Sequence, residues 1–126
     1  MPLPTDGLMI LVAGPYRSGT GDDPERIAAN LRAMEDAALA LFRAGHLGVT
    51  GEWLALPLAR LAGSRAMGDR PWDEIFHPVA ERLAQRCDAC LRIGGPSAGA
   101  DAMVAIFERA GRPVYRALEE VPPPRR

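Results

Sequence analysis

Three features of the sequence predict an α/β fold built on a parallel sheet. Residues 8–13, Leu8-Met9-Ile10-Leu11-Val12-Ala13, are apolar without alternation, which suits a strand covered on both faces. Residues 24–44 carry an amphipathic pattern long enough for a crossover helix. Twice, at residues 14–21 and 94–99, a glycine-rich turn stands between a strand-like and a helix-like segment. The resulting order, β-α-β-α-α-β-α-β, implies a Rossmann-like three-layer sandwich with a parallel sheet of four or five strands.

The elements follow in order. After the first apolar run, Asp23 is a natural N-cap, with Pro24 in the first helical position and Glu25 in the first turn. Ile27, Leu31, Met34, Ala38, Leu41 and Phe42 recur at helical spacing, and Gly45 is a natural stop. Residues 47–50 read as a second strand, closing a right-handed βαβ unit. The stretch Gly51-Glu52-Trp53 reads as a loop leading to a short helix, interrupted or begun near Pro57. Residues 63–70 read as loop. A further helix is expected from Pro71 through Cys87, with a kink or second start at Pro78, then a strand over 89–93. The next helix, 100–110, places Met103, Ile106, Phe107 and Ala110 on one side, and a last short strand lies at 112–115. The lead-in of residues 1–7 is expected to be loosely held, and the tail of residues 121–126 disordered.

Bulk properties narrow the function classes. At 126 residues the chain fits one domain spanning residues 1–126. A net charge of −1 gives no electrostatic basis for binding nucleic acid. No apolar run approaches the ~20 residues of a membrane span, and no basic region precedes the first apolar run, so no membrane association and a cytoplasmic location are expected. All 15 basic residues are arginine. That excludes a lysine Schiff base, a Walker-type phosphate-loop lysine and a kinase lysine. Cys87 and Cys90 have C-x-x-C spacing, but a zinc ribbon needs a second pair, so buried structural thiols are expected. Two histidines and no cysteine cluster leave no basis for a multi-histidine metal site.

In a parallel sheet the loops beyond the carboxyl ends of neighbouring strands share one crevice. The loops after the first and third strands therefore face each other and supply backbone N–H groups, hydroxyls and two helix N-termini that favour an anion. Gly14, Pro15, Tyr16, Arg17, Ser18 and Gly19 from the first, with Gly95, Ser97 and Gly99 from the second, are the candidate ligand-binding residues. Arg17 suits a bidentate phosphate contact. Glu52 follows the second strand at the same end of the sheet, beside Trp53, which suits stacking on a base. Asp101, near the start of a helix, is the other carboxylate in reach, its alternative role being compensation of the helix dipole. Glu81 reads as solvated, Asp88 as a turn-fixing residue, His46 as a turn residue and His77 as exposed or packed. Asp73 and Glu74 lie at a helix start.

The series Leu11-Val12-Ala13-Gly14-Pro15-Tyr16, Cys87-Asp88-Ala89-Cys90-Leu91, Ser97-Ala98-Gly99 and Gly111-Arg112-Pro113-Val114 resembles the motifs of the nucleoside 2-deoxyribosyltransferase superfamily, in particular a small bacterial and phage branch of unknown function. The likeness spans nearly the whole chain and rests on the order and spacing of short motifs. It implies a Rossmann-like homo-oligomer that cleaves or exchanges the N-glycosidic bond of nucleosides or nucleoside monophosphates without metal or organic cofactor. It further implies a glutamate nucleophile on the helix after the Ser-x-Gly turn and a second carboxylate on the helix before the third strand. Those positions fall here on Met103 and near Ala80. Asp101 lies about 200° around the helix from Met103, and Glu81 about 100° from Ala80, leaving Glu52 and Asp101 as the candidate catalytic residues. Two functions follow as expectations. One is an N-glycosidase or deoxyribosyltransferase acting on a nucleoside or nucleotide, with Ser18, Ser97 and Arg17 favouring a 5′-phosphate. The other is a nucleotide-binding module of the same fold without the chemistry.

Overall fold

The computed structural model describes residues 7–124. Four strands form one parallel sheet: β1 (Met9–Ala13), β2 (Leu47–Val49), β3 (Ala89–Arg92) and β4 (Val114–Tyr115), in spatial order β2-β1-β3-β4. The helices are α1 (Pro24–Arg43), α2 (Gly51–Leu61), α3 (Arg70–Ala84) and α4 (Ala98–Arg109), and a 3₁₀ turn follows at Leu118–Glu120. The predicted three-layer α/β architecture is therefore present, with four strands.

The apolar run of β1 is explained by its two covered faces. Ile10 and Val12, with Ala89 and Leu91 of β3, pack on Met34, Ala38 and Leu41 of α1. Leu11, Ala13 and Cys90 pack on Ala84 of α3 and on Met103, Val104 and Phe107 of α4. Alternate residues of a strand point to opposite faces, so a strand between two helical layers is apolar at every position. The strand order follows from the same layers. The chain leaves β1 through α1 toward β2, and leaves β3 through α4 toward β4, so the connections diverge between β1 and β3. That is the switch point at which such sheets open a crevice.

Several boundaries differ from the sequence expectation for identifiable reasons. β1 starts at Met9, because the Leu8 N–H turns aside to donate to His46 Nδ1 (3.0 Å). Phe42 is exposed rather than packed; one step beyond Leu41 turns it ~100° off the buried face, where Ala37 lies instead. α2 begins at Gly51, because the Thr50 hydroxyl caps it by accepting from the Trp53 N–H (3.3 Å). It then runs unbroken through Pro57. Pro57 lies on the exposed side, where water can take the Trp53 carbonyl that lost its partner. α3 likewise passes through Pro78 but stops at Ala84, short of Cys87. α4 starts two residues before the expected Ala100, since Ser97 caps it by accepting from the Ala100 N–H (3.2 Å). Ala110, expected on its packed side, is exposed.

The loop between α2 and α3 is organised by one residue. Asp69 caps α3 through Trp72 N–H (2.9 Å) and also accepts from the N–H groups of Arg65 and Ala66 and from the Ser64 hydroxyl. Those donors hold its carboxyl down at about 2. Disorder was expected for residues 121–126, yet residues 121–124 are held. Val121 packs on the α1 side of the core, and the Pro122 carbonyl accepts from His46 Nε2 (2.8 Å). His46 is thus more than a turn residue. It is buried, joins the start of β1 to the chain end, and carries its proton on Nε2. The expectations for residues 1–6 and 125–126 lie outside the described residues.

Gly48 sets how closely α1 approaches β2. A Cβ there would lie 2.8 Å from the Ala38 Cα, which is backbone and cannot swing away. Gly48→Ala should lower stability by about 1–3 kcal/mol. Gly95→Ala, with no atom within 4 Å of the added carbon, should leave the melting temperature unchanged. Thermal unfolding of the two variants side by side checks this.

Candidate functional site

A cleft of about 270 Å³ opens beyond the carboxyl ends of β1 and β3. The β1 strand end and its loop contribute Leu11 to Gly14, Tyr16, Arg17 and Ser18. α2 contributes Gly51 and Glu52, and the α4 region contributes Ser97, Gly99, Ala100 and Met103. α3 supplies a whole wall, Trp72, Asp73, Phe76, His77 and Ala80.

The two glycine-rich loops meet as expected. Ser18 Oγ lies 3.4 Å from Ser97 Oγ, and a Cβ on Gly94 would stand 2.6 Å from Pro15 Cδ. Gly94, at φ 78°, therefore needs glycine both for its backbone conformation and for the approach of Pro15. Arg92 braces the second loop from beneath. Its guanidinium donates to the carbonyls of Ile93 and Gly95 and to Asp101 Oδ1 (3.1 Å).

Glu52 is the carboxylate that lines the cleft together with Asp73. It occupies the first turn of α2, so the Thr50 cap aims it at the crevice. Burial raises its carboxyl above the ordinary 4.5, a shift partly opposed by its own backbone N–H. Tyr16 stands close enough to feel it: burial and then the Glu52 charge raise the phenol above 10.0. Tyr16 also begins an aromatic wall. Its ring centroid lies 6.3 Å from Trp72 and 5.8 Å from Phe76, and Trp72 stacks on Phe76 at 4.4 Å and 11°. Such a wall offers planar faces to a planar ligand.

The other expected site residues divide. Gly14, Tyr16, Arg17, Ser18, Glu52, Ser97 and Gly99 line the cleft, whereas Pro15, Gly19, Trp53, Gly95 and Asp101 do not. Asp101 points outward, 65% exposed, with its carboxylate on Arg92. Its place is structural, because Met103 faces the crevice and Asp101 lies about 200° around α4 from it. Trp53 turns the other way around α2, where its indole N–H donates to Glu35 of α1 (2.9 Å). Stacking of Trp53 on a base within the cleft is thereby excluded. Arg17 stays at the rim, but its Nε and Nη2 already engage both oxygens of Asp22 (2.8 and 3.3 Å). The expected bidentate phosphate contact is thus occupied from within the chain.

Trp72, Phe76 and His77 were not foreseen as site residues. Their signal was present: Trp72, Phe76 and Ala80 step by four, as do Asp73 and His77, which places both series toward one side of α3. His77, read from sequence as exposed or packed, lies with Cε1 3.3 Å from where a Gly99 Cβ would be, so Gly99 makes room for it.

Among the described residues no group of three or more histidine, cysteine or acidic side chains could hold a metal ion, and no helix is long and apolar enough to cross a membrane. Cys87 and Cys90 are free and buried on the α3–α4 side of the sheet. Burial, with the Asp88 charge for Cys87 and the Cys87 charge for Cys90, pushes their thiols up to about 11 and about 12. Since the thiolate is the reactive form, neither should be alkylated in the folded protein at mildly alkaline pH. Both should be alkylated after denaturation, as intact mass would record. Asp88 fixes the turn before β3 by accepting from the Met9 N–H (2.8 Å).

No protein-family model matches the chain, and no curated protein matches it.

Proposed function

We propose that this protein acts on the N-glycosidic bond of a nucleoside or nucleoside monophosphate, as an N-glycosidase or deoxyribosyltransferase, with Glu52 as the working carboxylate. The observation that carries the reading is the placement of Glu52. A desolvated carboxyl lines the crevice beyond the carboxyl ends of a parallel sheet, in company with two hydroxyl-bearing loops and an aromatic wall. The base lies along Tyr16, Trp72 and Phe76, and the sugar lies toward Glu52. A 5′-phosphate is held by Ser18, Ser97 and the start of α4.

In the hydrolytic form, Glu52 takes a proton from water as the water oxygen bonds to the anomeric carbon. The C–N bond breaks, its electron pair goes to the base nitrogen, and that nitrogen is protonated by His77, the imidazole in the same cleft. In the transfer form a second base takes the place of water. Homo-oligomerisation and a cytoplasmic location belong to the same reading, and light scattering on the purified protein tests the first.

The test is incubation of the pure protein with a panel of nucleosides and monophosphates, with chromatography of the released base. Absence of free base from every member at high protein concentration rejects the enzymatic reading.

Met103 and Ala80 favour a second reading. Both line the cleft at the two positions where the resemblance places carboxylates. A nucleotide-binding module without turnover would show a rise in melting temperature with a nucleotide and no product. No shift with any nucleotide would reject it.

A further inference from the structure

Behind the aromatic wall lies a second cavity, of about 380 Å³, that shares Tyr16 and Trp72 with the first. Its floor is apolar, with Leu56 and Ala59 of α2 and Met67 of the following loop, and its polar lining includes Arg60 and Arg65. Both arginines are exposed, and neither guanidinium has a hydrogen-bond or ion-pair partner among the described residues. Asp69, in the same loop as Arg65, is turned onto the N–H groups of Arg65, Ala66 and Trp72 and so is not their partner. Arg17 lies along the boundary of the two cavities: it lines the first, and its Nη1 lies 3.0 Å from where a Cβ on Gly68 would stand, beside Met67 of the second.

We propose that the second cavity is an anion subsite, in which Arg60 and Arg65 take a further phosphate group that extends from the phosphate at Ser18 along Arg17, on the far side of Tyr16 and Trp72 from the base. The preferred ligands are then nucleoside diphosphates, or esters of them, over monophosphates. Two unpaired guanidinium forks next to a cavity match phosphate oxygens in charge and geometry. The identity of the first half of the ligand rests on the nucleotide reading above; the anion subsite itself does not.

Calorimetry on the full chain tests this with three probes: a nucleoside monophosphate, the corresponding diphosphate, and inorganic pyrophosphate. The diphosphate should bind about tenfold or more tightly than the monophosphate, in line with one or two charge-assisted contacts. An R60A/R65A double variant should erase that gain and leave monophosphate affinity unchanged. Both side chains are exposed, so the variant should keep the parent melting temperature. Equal affinity for the two nucleotides, or a gain that survives the double substitution, overturns the proposal. Pyrophosphate that binds the parent and not the variant, with neither nucleotide binding, supports the subsite and rejects the nucleotide reading. No binding of any probe rejects both.

Discussion

Glu52→Gln should reduce base release by about 10²–10⁴-fold, the usual weight of a positioned acid or base, while making the fold more robust near neutral pH. The two effects have one cause. Burial raises the Glu52 carboxyl above 4.5 in the folded protein, so the folded state holds the proton more tightly than the unfolded chain does. Its contribution to stability is full below 4.5 and declines as pH rises toward the folded value, because a charge must then be buried. Glutamine has the same shape and never ionises. Its melting temperature should therefore exceed the parent's near neutral pH, and the gap should shrink below 4.5. Activity and thermal unfolding, measured on the same preparations at both pH values, separate the outcomes. Unchanged base release would remove Glu52 from the chemistry. A lower melting temperature at neutral pH would show that the ionised form is instead stabilised by contacts.

Phe107→Ala should be the most damaging single truncation in the core. Phe107 is fully buried between α4 and the sheet, and Arg112 lies over its ring at 4.7 Å. Removing a buried phenyl ring costs about 3–5 kcal/mol, a large part of the roughly 5–15 kcal/mol that holds a domain folded. The ring also supports Arg112, whose Nη1 donates to the carbonyls of Ala84 (2.9 Å) and Cys87 at the end of α3. The melting temperature should fall by on the order of 10–20 °C. Asp101→Asn, on the exposed side of the same helix, should shift it far less, since its partner Arg92 keeps two backbone acceptors. Denaturant unfolding gives both numbers, and a similar loss in the two variants would contradict the burial of Phe107 and the exposure of Asp101.

The comparison of Glu52 with Asp101 shows where sequence reading succeeds and where it runs short. Both were candidate carboxylates near a helix start at the same end of the sheet. What separated them was the side of its helix on which each lies. Thr50 starts α2 at Gly51 and swings Glu52 into the cleft, taking Trp53 out to Glu35. Ser97 starts α4 at Ala98 and turns Asp101 onto Arg92. On α4 the facing was legible, since Met103 lines the cleft and Asp101 lies about 200° around the helix from it; on α2 it was not, because the helix starts at Gly51 where a loop was expected.

The layers, the parallel strands and the meeting of the loops around Gly14 and Gly94 were legible residue by residue, since these depend on hydrophobic period and on the conformational freedom of glycine. So was the absence of lysine chemistry. Folding alone brings Trp72, Phe76 and His77 of α3 into a wall of the cleft, Arg17 onto Asp22, and Arg60 and Arg65 to a second cavity. Each of these depends on where α2 and α3 come to rest. That position is set by contacts distant in sequence, such as Gly51 against Ala80, where an added Cβ would stand 2.9 Å away. No local pattern carries such a contact, because it exists only once both helices have packed.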